Sequence, residues 1–233
     1  MKNVAVCLSP ELIHLFDLKG KTVVVVDILR ATSCMTTAFA HKVKLMKPVA
    51  SLEECRALKD KGYIIAAERG GKKVAGFDIG NSPFSYMEPE MAGTKVAVTT
   101  TNGTLAITKS MEANNILIGS FLNLSAIAKR VVELDQDLII HCAGWKGNIN
   151  AEDTLFAGAL IEKLAEAIEA NTDDASIAYA LFQQHKYDVL NYVAQSAHAK
   201  RLQAFGIMKD IKFCVQTDQY EVVPYLLGDN LVI

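Results

Sequence analysis

Short apolar runs alternate along the chain with longer stretches in which apolar residues recur every three or four positions. The runs are NVAVCL (3–8), TVVVVDI (22–28), YIIAA (63–67), KVAVTT (95–100), NILIG (115–119) and DLIIHCA (137–143). Several are continuous rather than alternating, as in strands covered on both faces. Helical periodicity fills the gaps, at 31–41, 51–61, 102–112, 123–134 and 151–170. This alternation predicts an α/β fold with a largely parallel or mixed sheet. After residue 170 the pattern turns mainly helical, at 173–184, 187–197 and 199–205. A strand-like IKFCV (211–215) and the run EVVPYLL (221–227) follow. Segment 68–94 is the longest piece without periodicity. Its prolines and aromatics argue against simple disorder and for a functional loop.

Composition narrows the classes. The chain has 233 residues, enough for one large domain or two intimately packed lobes. Its net charge of -2 gives no basic footprint for nucleic acid. No apolar run approaches the roughly 18 residues of a membrane span, and MKNVAVCLSPEL lacks the apolar core of a signal peptide. A cytoplasmic protein is expected, and a homodimer suits a compact enzyme of this kind. The five cysteines are scattered without a CxxC pair, which argues against a zinc cluster.

The candidate chemistry lies where the strands end, because ligands of open α/β sheets collect beyond the carboxyl ends of the strands. After the valine run come Asp27 and Arg30, with Thr32 and Ser33 opening a helix. After 63–67 come Glu68, Arg69, Gly70 and Gly71. After 95–100 come Thr101, Asn102, Gly103 and Thr104. After 137–143 come Gly144, Gly147, Glu152 and Asp153. Taken singly, each has a plain structural reading as a cap, a turn or a surface ion pair. Asp27 stands apart, because a carboxylate directly after four valines sits near the core boundary, where an unpaired charge is costly. Clustered carboxylates suit a hard cation such as Mg2+, and helix starts with Arg30 suit a phosphate. No dinucleotide, Walker, HExxH or GxSxG motif is present.

DILRATS (27–33), ERGGKKVAGFDIGNSP (68–83), TTTNGT (99–104), CAG with AEDTLFAG (142–158), and SAHAKRLQAFGIMKDIKFC (196–214) with VVP (222–224) occur in this order. Together they resemble the Mg2+-dependent 2-phosphosulfolactate phosphatase (ComB) family. The resemblance implies a single ComB-like domain over 1–233 with a three-layer α/β/α fold. It implies hydrolysis of 2-phospho-3-sulfolactate to 3-sulfolactate and phosphate, a step of coenzyme M synthesis in methanogens. The chain departs from the family pattern at AHKVKLM after the first helix and at Ala67 before the Glu-Arg pair. Both bear on substrate identity more than on reaction class. The alternatives are a phosphatase for another small phosphorylated 2-hydroxy acid, or a non-catalytic binder of such a metabolite.

The expected mechanism has Asp27, Asp78 and Asp153 as first Mg2+ ligands, with Glu68 and Glu152 next. Arg30 clamps the phosphate through its planar fork. Asn102, Gly103 and Thr104 offer N–H donors, Thr101, Ser33 and Gly144 line the site, and Asn81 and Ser82 complete it from the long loop. Arg69, the Lys72–Lys73 pair and Arg201 are candidates for holding a second anionic group of the substrate. His198 is a candidate acid for the leaving oxygen, and Cys142 is an alternative nucleophile to water or an aspartate.

Overall fold

The computed structural model describes residues 2–233, and one mixed sheet organises them. Its strands are β1 (Lys2–Cys7), β2 (Thr22–Val26), β3 (Leu45–Pro48), β4 (Tyr63–Arg69), β5 (Lys72–Lys73), β6 (Lys95–Thr99), β7 (Asn115–Gly119), β8 (Leu138–Cys142), β9 (Ile168–Glu169), β10 (Tyr225–Leu227) and β11 (Asn230–Val232). The helices are α1 (Ala31–Ala40), α2 (Leu52–Ala57), α3 (Gly103–Lys109), α4 (Leu124–Leu134), α5 (Ala151–Leu164), α6 (Asp173–His185), α7 (Val189–Gln195), α8 (Ala197–Gln203) and α9 (Met208–Cys214). The strand order is β5-β4-β6-β3-β11-β10-β7-β2-β8-β1-β9.

The valine run becomes β2, buried at every position and paired in parallel with β7 and β8. Val24 and Val26 enter one apolar cluster with α4, α5 and α6. Val23 and Val25 enter the other, with α1 and α3. A strand covered on both faces has no polar side, so its sequence cannot alternate. Helices on both faces of the sheet give the expected three layers. α5 is buried nearly all round, as a helix threaded between sheet and outer helices must be.

The sheet has two parallel blocks, β7-β2-β8-β1 and β3-β6-β4, joined through the antiparallel hairpin β10-β11. Followed along the ladder, the blocks run in opposite senses, yet the carboxyl ends of β2, β4 and β6 line one cleft. Strand twist accounts for this. Six ladder steps from β2 to β4, at roughly 20–25° each, accumulate about 120–150° and bring the blocks back towards a common direction.

Several sequence expectations are corrected here. IKFCV belongs to α9, not to a strand. Its buried residues Asp210, Ile211 and Cys214 recur at helical spacing, and a five-residue apolar run does not distinguish the two. The helix expected over 151–170 stops at Leu164 and returns as β9 beside β1. β3, β5 and β11 lie in stretches read as connection. Each is four residues or fewer, too short to show a period. No helix of the described residues is long and apolar enough to cross a membrane.

α5 and α6 touch at Gly158, where an added Cβ would lie 2.0 Å from the Ala178 carbonyl oxygen. Gly158→Ala must force the two helices apart, because the obstacle is backbone. A loss of about 1–3 kcal/mol or more is expected, read as a lower urea midpoint. An unchanged midpoint would contradict this packing.

Candidate active site

The β2–α1 turn is knit by its own side chains. Thr32 Oγ1 meets both the backbone N and O of Asp27 at 3.0 Å, and Ser33 Oγ donates to the Ile28 carbonyl at 2.9 Å. Ser33 is thereby a structural hydroxyl rather than a cleft group. The turn holds the Asp27 carboxylate at the cleft with 7% exposure. Its Oδ1 accepts the Ala31 N–H at 3.2 Å, and Oδ2 forms no hydrogen bond among the described residues. Burial raises the Asp27 pKa to about 6, against the Ala31 N–H and His198, with Glu68 and Glu152 pushing it further up.

β4 ends in Glu68, also buried. Its carboxylate accepts the Gly71 N–H, and from Thr101 both the N–H at 3.3 Å and the hydroxyl at 3.1 Å. One acid thus ties the β4–β5 turn to the turn after β6. Gly103 lets that second turn approach, because a Cβ there would stand 2.5 Å from Ala31 Cβ and 3.0 Å from Asp27 Oδ2. Asn102 beside it accepts the Lys146 N–H at 3.3 Å. Thr104 bonds back to Thr100 through its backbone N–H and its hydroxyl.

The two acids that open α5 have separate tasks. Asp153 lies behind the cleft, its Oδ1 accepting the Ile28 N–H at 2.9 Å and its Oδ2 the Gly144 N–H at 3.0 Å. Burial, with Glu152 and Asp27 close by, holds it well above the usual carboxylate range, against those two N–H donors. Gly144 takes a left-handed conformation, and a Cβ would lie 2.3 Å from the Asn148 carbonyl oxygen. Glu152 is fully buried. Its Oε1 meets His198 Nδ1 at 2.6 Å, and its Oε2 accepts the Ser196 hydroxyl at 3.4 Å.

Arg30 joins Asp210 of α9 in a buried ion pair and donates to the Gly71 carbonyl at 3.1 Å. Asn81 lines the cleft with its Oδ1 buried and unbonded. The cleft encloses about 20 Å³ of space, room for about one water. Its roof is Trp145, from the turn after β8, with Arg201 and Leu202 of α8. Two larger hollows of about 450 and 480 Å³ lie over α4 and beside residues 10–18. Each holds one ion pair, Arg130 with Glu133 and Lys109 with Glu11, and neither is lined by a residue of a strand.

Of the residues expected from sequence, Asp27, Arg30, Glu68, Asn81, Thr101, Asn102, His198 and Arg201 are brought together. Asp78 is not. It pairs with Lys59 at 2.6 Å and accepts the Ile65 N–H, which seats it near the start of β4 rather than its carboxyl end. Arg69 is drawn away by the Glu68 and Thr99 carbonyls and the Thr99 hydroxyl, and lines a neighbouring hollow with Thr101 and Thr104. Ser82 precedes a short 3-10 turn and makes no capping bond. Cys142 is fully buried, and burial holds its thiol well above the ordinary value, so a thiolate nucleophile has no basis. Sequence reasoning passed over Leu29, Trp145 and Leu202 as lining residues. A lone tryptophan in the strand-end turn CAGWKGN was the one available signal.

Acids, amides and arginines converging at the carboxyl ends of an α/β sheet define an enzyme class that handles small anions. The sequence model of the family described as 2-phosphosulpholactate phosphatase matches residues 7–229. A probable 2-phosphosulfolactate phosphatase of Caldanaerobacter subterraneus is 38% identical over 90% of this chain and 89% of its own. Those of Clostridium acetobutylicum and Thermotoga maritima are 38% and 36% identical, each over 91% of this chain and 93% and 92% of theirs. The chain belongs to the 2-phosphosulpholactate phosphatase family. It is a phosphatase, a hydrolase acting on a phosphoric monoester.

Asp153→Asn would set an amide NH2 against one of the two turn N–H groups. A loss of about 1–3 kcal/mol in unfolding free energy is expected, with activity falling as the turns separate. Unchanged stability in urea unfolding would show that the two bonds do not hold the site.

Proposed function

We propose that the cleft hydrolyses 2-phospho-3-sulfolactate to 3-sulfolactate and inorganic phosphate, with Mg2+ as cofactor. The observation that carries this reading is the meeting of Asp27, Glu68 and Asn81 with Arg30 at one set of strand ends, in a chain whose relatives are named for that substrate. Among the described residues no three His, Cys, Asp or Glu side chains form a ready metal cage. That suits Mg2+, which commonly takes one or two carboxylates together with substrate phosphate oxygens. The unbonded Asn81 Oδ1 and the free Asp27 Oδ2 are oxygen donors of the right kind, with Glu68 beside them. When bound, the ion would neutralise phosphate charge and orient water.

The chain's own groups do the rest. Arg30 is fixed by Asp210 and Gly71, so it meets the phosphate as a pre-set plane. Glu152 Oε1 accepts the Nδ1–H of His198, a residue that lines the cleft. As the water oxygen bonds to phosphorus and the ester P–O bond breaks, imidazolium His198 gives its Nε2 proton to the leaving oxygen and remains neutral with its Nδ1 proton in place. One water proton stays on the phosphate product, and the other restores His198 through solvent.

The test is phosphate release from racemic 2-phospho-3-sulfolactate, 2-phosphoglycerate and phospholactate, with Mg2+ and with EDTA. Fast release from the sulfonate, lost on chelation, is expected. Asp27→Asn is expected to fold normally by circular dichroism and to lose about 10²–10³ in kcat. Full activity in EDTA or in that variant would remove the metal from the mechanism. Faster release from phospholactate would reassign the substrate.

A further inference from the structure

The cleft encloses about 20 Å³, room for about one water. A phosphoryl group alone fills several times that space, so a phosphate ester enters only when one wall withdraws. The floor is poorly placed to move. Asp27, Arg30, Glu68 and Thr101 lie on turns that leave sheet strands, and the Glu68 and Asp153 carboxylates bind such turns to one another in pairs. The Trp145 turn is closed on itself, with backbone bonds from Trp145 to Asn148 and back at 2.9 and 3.0 Å. The Ser9 hydroxyl pins it from outside, donating to the Gly147 carbonyl at 2.6 Å.

The remaining wall is α8, which brings His198, Arg201 and Leu202 to the cleft. It lies between two breaks in the helical run. Ser196 is extended where α7 ends, at φ -62° and ψ 153°, and its hydroxyl caps α8 by accepting the Ala199 N–H at 3.1 Å. Gly206 is left-handed at φ 76°, with open space where a Cβ would stand. The backbone bonds of 196–206 are local, and among the described residues none runs from α8 to a strand-end turn. Side chains hold it down instead. His198 meets Glu152 at 2.6 Å, and Arg201 lies 3.6 Å over the Trp145 ring. Leu202 and Phe205 rest on Gly71, where a Cβ would meet them at 3.0 and 3.3 Å. Lys72 Nζ sits 4.5 Å from the centre of the Phe205 ring, gripping the far end of the segment from outside. A segment held this way opens locally at less cost than a strand in a ladder.

We infer that α8 is a lid, hinged at Ser196 and Gly206, that lifts from the strand ends to admit the phosphate ester and closes to the position described here. The inference rests on the active-site reading above and adds to it how substrate reaches the cleft. Lids of this kind are rigid pieces between a few element-end residues that absorb the backbone change. The lid carries His198, so closure both excludes water and sets the proposed acid on Glu152. Lifted, it takes the proton donor away from the leaving oxygen.

The five cysteines are buried, so a pair introduced at two exposed positions, Lys72→Cys and Phe205→Cys, takes up any thiol reagent added. The double variant is bridged with a short bis-methanethiosulfonate or with a long flexible one, each confirmed by intact mass, and phosphate release from 2-phospho-3-sulfolactate is compared. The short bridge should lower the rate about tenfold or more, the long one should keep it within about twofold, and reductant should restore it. Acrylamide quenching of Trp145, the single tryptophan, reads the same movement without turnover. The short bridge should lower the quenching constant. Phe205→Ala in the unbridged protein, which removes the outer grip, should raise it. Full turnover through the short bridge overturns the inference. So does an equal loss with the long bridge, or a quenching constant that neither the short bridge nor Phe205→Ala moves. Unbridged protein that releases no phosphate would instead sink the substrate reading, and the quenching comparison would then judge the lid by itself.

Discussion

The Asp153 carboxylate takes one N–H from each of two strand-end turns, Ile28 after β2 and Gly144 after β8. Those turns carry Asp27 on one side and Trp145 on the other, so floor and roof of the cleft are tied through a single buried side chain. The tie is local to the start of α5, a helix packed on both sides and therefore unable to shift. Glu68 repeats the device on the other block of the sheet, joining the Gly71 turn to Thr101. With two acids acting as backbone staples, the strand ends become a rigid frame around the groups left over.

Those groups leave an electrostatic imbalance. Asp27 lies in a buried space with Glu68 and Glu152 acting on it, and its carboxyl is raised to about 6. Each charge is partly answered: Glu152 by His198, Glu68 by N–H and hydroxyl donors, Asp27 by one N–H. What remains is a bare oxygen on Asp27 and another on Asn81, opposite an arginine with an unused donor. Unpaired oxygens and an unbonded guanidinium nitrogen in one cleft are the groups that the proposed metal-assisted reaction would use.

The layers and the helices of the first two-thirds were legible because burial on both faces writes continuous apolar strands and long periodic helices. Asp27 was legible for the same reason, as a charge that four valines would not tolerate unpaired. Asp78 was not. Its place in a loop gives no indication that the chain folds back to the start of β4 and to Lys59. Glu152 and Asp153 look interchangeable in sequence. Adjacent helical positions point about 100° apart, which follows from 3.6 residues per turn, so one meets His198 and the other the two turns. The pairing of Arg201 with Trp145 spans 56 positions of sequence and depends on α8 folding over the cleft, which no local pattern encodes.

The most direct measurement is thermal unfolding of the protein against Mg2+ concentration, with and without inorganic phosphate, in parallel with Asp27→Asn. A ligand that binds only the folded state raises Tm as its concentration rises. The expected result is a Mg2+-dependent rise in Tm, larger with phosphate present and absent in Asp27→Asn. A Tm indifferent to Mg2+, or one that rises equally in the variant, would contradict the proposed Mg2+ site at Asp27.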